Sequence, residues 1–412
     1  MKRCHRLVSL LLPLVLLMLL LMPISAQASS VLQTLEEYRD YVYYHVQKSE
    51  ASIIVSISKD LFEDLRKDDG ILFAELTHMC GIYKAEVSYT PLGDSVMLYL
   101  QHVTRYPGLR ILQAVQKDAE VILARQDREA LAVARQLLPT EGTLLEKERA
   151  IHDVLCDWIE QDTEAPDSPT DSDTAIGALL NHKADCDGYA DAFFLLCGLA
   201  GIESRHIFGY TTNRDILSIH AWNAVCIDDQ WVMTDLYWDD GPGNNSTLYF
   251  NIGADLMAVD HSWNAELLDY ELETLTDQDL RSSAPAFVPA TDYFMLETLI
   301  QEQAETSLDR FCFMVSDGIM LENSHDAYDL YNEIYPILEN IGISHFWYVW
   351  APGRFEIINQ QDEMAPWMEY VQPTEVPSLF DSSVNRINSH GFHNLGTGPW
   401  VPVPRETRSL LS

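Results

Sequence analysis

ADCDGYADAFFLLCGLAGI, residues 184–202, is the stretch on which the reading of this 412-residue chain turns. Tyr189, Ala190, Phe193, Leu196, Cys197 and Ala200 recur at helical spacing and Gly201 follows them, which predicts a buried amphipathic helix closed by glycine. Cys186 then falls in the first turn. Unsatisfied N–H groups and the positive end of the helix dipole favour a thiolate there, as a nucleophilic cysteine requires. Taken alone, the segment is equally compatible with a buried core cysteine. Cys186 and Cys197, about 16 Å apart on one helix, cannot form a disulfide.

A second stretch, HAWNAVCIDDQWVMTDLYWDD (residues 220–240), alternates as a β-hairpin turning at Asp228-Asp229. With Ile227 facing Gln230, Trp222 falls opposite Asp235 and His220 opposite Tyr237, so His220 and Asp235 share a face as diagonal neighbours. A helix-start cysteine and a carboxylate-held imidazole are the parts that acyl transfer needs. His220 would take or hold the Cys186 proton, and Asp235 would fix the ring's tautomer and stabilise its charge. The Cys186 backbone N–H would supply part of an oxyanion hole whose second donor the sequence does not name. Trp222 and Trp238 are expected either as water-excluding walls of the substrate site or as filling of the sheet core.

Cys186-x-Gly188-Tyr189-Ala190, His220-Ala221-Trp222-Asn223 and Trp231-x-x-x-Asp235 with Trp238-Asp239 resemble the core motifs of the bacterial transglutaminase-like superfamily. Ala175 to Leu180 resembles the helix before the family's cysteine. Tyr249-Phe250-Asn251 and Asp260-His261-Ser262-Trp263 resemble a trailing segment of its secreted members. The resemblance covers about Glu146 to Trp263. It implies a papain-like α+β core with the cysteine helix packed on an antiparallel sheet. It further implies chemistry at an amide or peptide carbonyl through a Cys186 thioester, finished by an amine (transfer) or water (hydrolysis). Family members include cross-linking enzymes, peptidases, glycopeptide amidases and inactive relatives, so the substrate stays open. Two departures stand out. Asp185 and Asp187 flank the nucleophile and should raise its pKa, while Asp229 stands where glycine is usual and Tyr237 where threonine is common.

Around this core the element order repeats. Leu35 to Val46 is helical, Ser52 to Ile57 is a strand, and Lys84 to Tyr89 with Ser95 to Leu100 flank a turn at Pro91 to Asp94. Later, Leu296 to Glu305 is helical, Arg310 to Val315 a strand and Tyr328 to Ile341 helical, and two strands flank Ala351-Pro352-Gly353. The reading is therefore a signal peptide over 1–28, an α/β module over 29–142, the transglutaminase-like domain over 143–284, a related module over 285–361 and a loose tail over 362–412. Within the central domain a loop spans Gln161 to Asp173, and Asp173 is expected to cap the helix over Ala175 to Leu180. Trp367, Phe380 and Trp400 are candidate docking points in the tail.

Lys2, Arg3 and Arg6 precede an apolar run from Leu7 to Met22 and Ser25-Ala26-Gln27-Ala28, the pattern of a cleaved export signal. The mature protein is then expected to be secreted, without an integral membrane anchor. A net charge of −37 without a basic cluster argues against nucleic acid as a partner. Sparse cysteines make a disulfide framework unlikely to carry the fold, and missing Cys-x-x-Cys or paired-His spacing argues against zinc. No metal and no cofactor are expected. Asp239 and Asp240 are weak calcium candidates, since their spacing is not that of an ordered calcium loop. Asn244 to Thr247 carries glycosylation patterns but reads first as a surface turn. Cys197 and Cys226 read as core positions, and His261 with Trp263 as a packing element. The expected partner is a protein or peptide substrate, cell-wall peptides included. Two rivals remain: a non-catalytic surface or matrix binding protein using the domain as scaffold, and a cell-wall cysteine peptidase.

Overall fold

The structure, a computed structural model, describes residues 31–67, 70–162, 171–213, 216–241, 244–272, 290, 292–306, 310–315, 319, 324–343, 346–351 and 353–359. The expected signal peptide, the tail with Trp367, Phe380 and Trp400, and most of the loop before Asp173 lie outside these residues. Among the described residues no helix is long and apolar enough to cross a membrane.

The N-terminal part starts with helix α1 (Leu35–Gln47), where Thr34 and Glu37 cap each other's backbone N–H groups. Strands β1 (Ser52–Ser58), β2 (Ile82–Leu92) and β3 (Ser95–Arg105) form an antiparallel sheet in the order β1-β3-β2, with α2 (Lys59–Leu65) and α3 (Ile71–Met79) between the first two. The central part adds α4 (Pro107–Gln116), α5 (Arg125–Leu137), α6 (Leu144–Trp158) and α7 (Cys186–Ala200). Its sheet contains β4 (Glu203–Asn213), β5 (Ile216–Ile227), β6 (Gln230–Thr234) and β7 (His261–Ser262), in the antiparallel order β7-β4-β5-β6. Helix α7 packs against α4, α6, β4 and β5, and so its apolar residues are buried on nearly every side. One cluster of buried apolar residues runs from Leu32 to Leu267, and the module read as 29–142 thus shares a core with the domain read as 143–284.

The last part contains α8 (Tyr293–Thr306), β8 (Arg310–Met314), α9 (Ser324–Asn340), β9 (Phe346–Ala351) and β10 (Arg354–Asn359). Its antiparallel sheet runs β8-β10-β9, the same first-third-second order as the N-terminal sheet. Both faces of this sheet are covered. Phe313, Phe355 and Ile357 meet Leu296, Ile300, Leu330 and Ile334, whereas Cys312 and Ala351 join Ile207, Trp222, Tyr249 and Ile252 of the central part. Period-two alternation along β10 therefore turns Arg354 and Glu356 toward the central part, and both are fully buried. Glu356 accepts from Ser246 Oγ (2.8 Å), Thr247 N (2.9 Å) and Thr247 Oγ1 (2.6 Å). Ser246 and Thr247 are thus buried by the docked module, which corrects the expectation of a surface turn there.

Candidate active site

Local sequence builds the cysteine end. Asp185 caps α7 by accepting the Gly188 N–H at 3.2 Å. Gly188 has to be glycine, because a Cβ would run into the Ser172 carbonyl and Ala184. Gly201, at φ 83°, ends the helix, with Ile202 N–H donating to the Cys197 carbonyl at 2.9 Å. Cys186 is 7% exposed, and its Sγ accepts the backbone N–H of Ala221, the residue after His220.

The surroundings of Cys186 do not favour a thiolate by themselves. Burial first, and then Asp187 and Asp185, push the thiol up against the opposing pull of the Ala221 N–H. This corrects the expectation drawn from the helix start alone and bears out the weight given to the acidic flanks. Asp185 and Asp187 are themselves pushed up, chiefly by burial, then by Asp173 for the former and by Asp185 for the latter. Asp173 does not cap the following helix. It accepts the Tyr83 hydroxyl at 2.8 and 2.9 Å, while the Ala175 N–H goes to Asp191 Oδ2 at 2.9 Å, ahead of a wide π turn over Gly177–Asn181. Asp191 also accepts the Gly108 N–H, at 3.0 and 3.1 Å, and so ties α4 to α7.

The histidine end comes from the hairpin. Ile227 pairs with Gln230 across a turn in which Asp228 (φ 51°) and Asp229 (φ 65°) are both left-handed, and the ladder continues to Asn223 opposite Thr234. There the chain leaves the sheet. Asp235 caps the turn Leu236–Asp239 by accepting the Trp238 N–H at 3.2 Å, so the expected pairs Trp222–Asp235 and His220–Tyr237 do not form, and His220 pairs with Gly209 instead. The two side chains meet nevertheless, His220 Nε2 donating to Asp235 Oδ2 at 2.6 Å. That bond engages Nε2 of the ring.

His261 joins the same carboxylate. Its Nε2 lies 3.1 Å from Asp235 Oδ2 and its Nδ1 2.7 Å from Asp260 Oδ1, so both ring nitrogens face carboxylates, an arrangement that favours the charged ring. Burial opposes that charge, but the two carboxylates outweigh it and raise the His261 pKa. Burial likewise works against an ionised Asp235, yet His220 and His261 together hold it well below the usual carboxylate range. His261 was expected as packing in preference to a supporting role at the catalytic site, and the Asp260 beside it was the local hint of a polar role. The donor atoms of His220, Asp235 and His261 lie within 4.8 Å of one another, near enough to suggest an ion. They are also hydrogen-bonded to one another through Asp235 Oδ2. Asp239 accepts from His152 Nε2 (3.2 Å) and Tyr249 N (3.0 Å), and Asp240 from the Tyr189 hydroxyl.

The two tryptophans differ. Trp222 is 1% exposed, donates its indole N–H toward Met233 Sδ at 3.4 Å and packs edge-on against His261 and Trp263, so it fills the core behind His220. Trp238 is half-buried, its ring tilted at 5.7 Å from that of His220. The Tyr237 hydroxyl is buried in the same region without a hydrogen-bond partner among the described residues, and after burial Cys186 is the strongest influence raising its pKa. All six cysteines of the described residues are free; Cys197 is fully buried, Cys226 only half-buried.

Residues 131–236, which contain the cysteine helix and the hairpin up to Asp235, match the model of the transglutaminase-like superfamily. The chain contains a transglutaminase-like domain. Its transglutaminase-like core has the mixed α+β architecture of helices on an antiparallel sheet, consistent with a papain-like core. Kyphoscoliosis peptidase from Mus musculus is 30% identical over 157 residues, 34% of this chain and 22% of that protein. The Homo sapiens protein of the same name is 35% identical over 120 residues, 26% of this chain and 17% of that protein. The chain thus spans about a fifth of the length of these relatives. Among solved structures, the periplasmic domain of TgpA from Pseudomonas aeruginosa aligns at a TM-score of 0.24 and 17% identity, over 36% of this chain and 56% of that one.

Proposed function

We propose that the protein is an exported cysteine acyl-transfer enzyme acting on an amide or peptide carbonyl, with Cys186 as nucleophile, His220 as general base and acid, and Asp235 as its orienter. The observation that carries this reading is the Nε2–Oδ2 bond of 2.6 Å, which fixes the imidazole with Nδ1 free for the thiol, next to the Ala221 N–H that holds Sγ. His220 Nδ1 takes the Cys186 proton as Sγ attacks the carbonyl carbon. The tetrahedral adduct collapses, and His220 returns the proton to the departing amine. An incoming amine or water, deprotonated by His220, then cleaves the thioester and restores the thiol. The peptidase name of the relatives favours a peptide or protein substrate. Export rests on the N-terminal sequence pattern.

One observation favours the rival reading of a non-catalytic binding scaffold: the thiol is pushed up by burial and by both flanking acids. A direct test separates the two. The mature protein is incubated with glutamine-containing and peptidoglycan-derived peptides, with and without a fluorescent primary amine, and Cys186 is examined by mass spectrometry for an acyl adduct. Amine incorporation identifies transfer and peptide release identifies hydrolysis, each abolished in Cys186→Ser. Absence of adduct, incorporation and release across the panel would leave the scaffold reading standing.

A further inference from the structure

The C-terminal module reaches the candidate site through one buried side chain. Arg354 Nη2 donates to Asp260 Oδ2 at 3.3 Å, while Nη1 donates to the Leu248 carbonyl at 2.9 Å. The guanidinium lies 4.3 Å from the centre of the Tyr249 ring, and the Tyr249 hydroxyl donates to the same Asp260 oxygen at 2.6 Å. Asp260 Oδ1 accepts from His261, and His261 in turn donates to Asp235 Oδ2, the oxygen that holds His220. Charges alternate along this path: Arg354 positive, Asp260 negative, His261 positive, Asp235 negative. All four residues are buried, so none of the links is screened by solvent.

From this chain of contacts we propose that Arg354 is a positioning residue for His220, acting through Asp260, His261 and Asp235, so that the C-terminal module completes the active site. The physical reason is an accounting of acceptors. Without Arg354, Asp260 loses one of its two cationic partners and is held only by Tyr249 and His261. The His261 ring then loses the fixed partner that aims its Nε2–H at Asp235, and Asp235 is free to turn from His220. A buried cation is costly unless paired, and β10 spends one of its few inward positions on it. The titratable groups facing His261 are Asp235, Asp260, His220 and Tyr249, with Arg354 behind Asp260.

This inference rests on the triad reading above, and the test keeps the two apart. The rate of Cys186 alkylation by iodoacetamide at pH 7 is measured in the full mature protein and in Arg354→Met, Arg354→Lys, Asp260→Asn, Asp235→Asn and the double variant Arg354→Met/Asp235→Asn, with folding checked by near-ultraviolet circular dichroism. Arg354→Met should slow alkylation about tenfold, Arg354→Lys should recover most of the loss, and Arg354→Met should add nothing once Asp235 is replaced. Should Arg354→Met fail to fold, the isosteric Asp260→Asn breaks the same path and should give the same loss. Wild-type rates in the folded variants, or an undiminished effect of Arg354→Met in the Asp235→Asn background, overturn the inference while leaving the triad intact. No effect of Asp235→Asn itself overturns the triad and the relay together.

Discussion

The two ends of the candidate site face opposite fields. At the cysteine end, burial, Asp187 and Asp185 all oppose a thiolate. At the histidine end, Asp235 is held ionised beside His220. A helix start contributes about 0.3–1 kcal/mol, under one pKa unit, which is too little to offset burial and two carboxylates around Cys186. The comparison teaches that the thiolate, where it forms, depends on the proton finding His220 and not on the helix that carries the cysteine. On the proposed reading, Cys186 and His220 are then active only as a pair.

Breaking the pair should have the largest effect. In His220→Ala, the rate of Cys186 alkylation by iodoacetamide at pH 7 should fall about 100-fold, because the remaining thiol sits well above the ordinary value near 8.5. The wild-type pH–rate profile should show an apparent ionisation below that value, and the variant should lose it. Identical profiles in the two proteins would mean that the ends are uncoupled.

Relieving the cysteine end should work in the opposite direction and by less. Asp187 is the largest anionic influence on the thiol. Asp187→Asn should therefore raise the alkylation rate by up to about tenfold, the equivalent of one pKa unit, at pH values high enough to ionise Asp187, and leave it unchanged below them. The same gain should appear in the His220→Ala background, since the carboxylate acts on the thiol directly. A slower Asp187→Asn protein would show that Asp187 positions the helix start more than it charges it.

Much of this was legible in the sequence because it depends on local pattern. Gly201 ends α7 where the apolar spacing stops, and the hairpin register follows from Ile227 meeting Gln230 across two left-handed aspartates. Where the reading missed, distant packing decided. The ladder stops at Thr234 because Asp235 turns to cap the next helical turn, and the His220–Asp235 contact survives by a different route from the one the register implied. Trp222 could be wall or core until Ile207, Tyr249 and Ile252 were seen to cover it. Arg354 and Glu356 alternate with Phe355 and Ile357 like one polar face of a half-exposed strand. Nothing within β10 signals that this face is buried against residues nearly a hundred positions earlier. His261 failed for the same reason, since its value lies in an Asp235 contact that only the closed sheet creates.

The contrast between the two ends extends to stability, with the smallest expected effect. Near the cysteine helix, Asp191 is pushed up to about 6 by burial, against the pull of the Ala175 and Gly108 N–H groups. Burial also pushes Asp240 up to about 7 and Glu148 to about 8. Each of these groups holds its proton in the folded state at pH values where the unfolded chain, with ordinary carboxyl values of 3.8 and 4.5, has released it. The native state then binds more protons than the unfolded one, and stability falls as pH rises through the window from about 5 to 8. Asp235 and Asp260 shift the other way, so their contribution is complete above the ordinary carboxylate value and is lost only in stronger acid. Calorimetry at pH 5, 6, 7 and 8 should therefore show a melting temperature that declines toward alkaline pH. Asp187→Asn should flatten the decline, because Asp187 is another carboxyl pushed up by burial and by its neighbours. A melting temperature that holds level or climbs over this range would mean that the buried acids are compensated in the fold, and the cysteine end would then be less hostile to a thiolate than its neighbours imply.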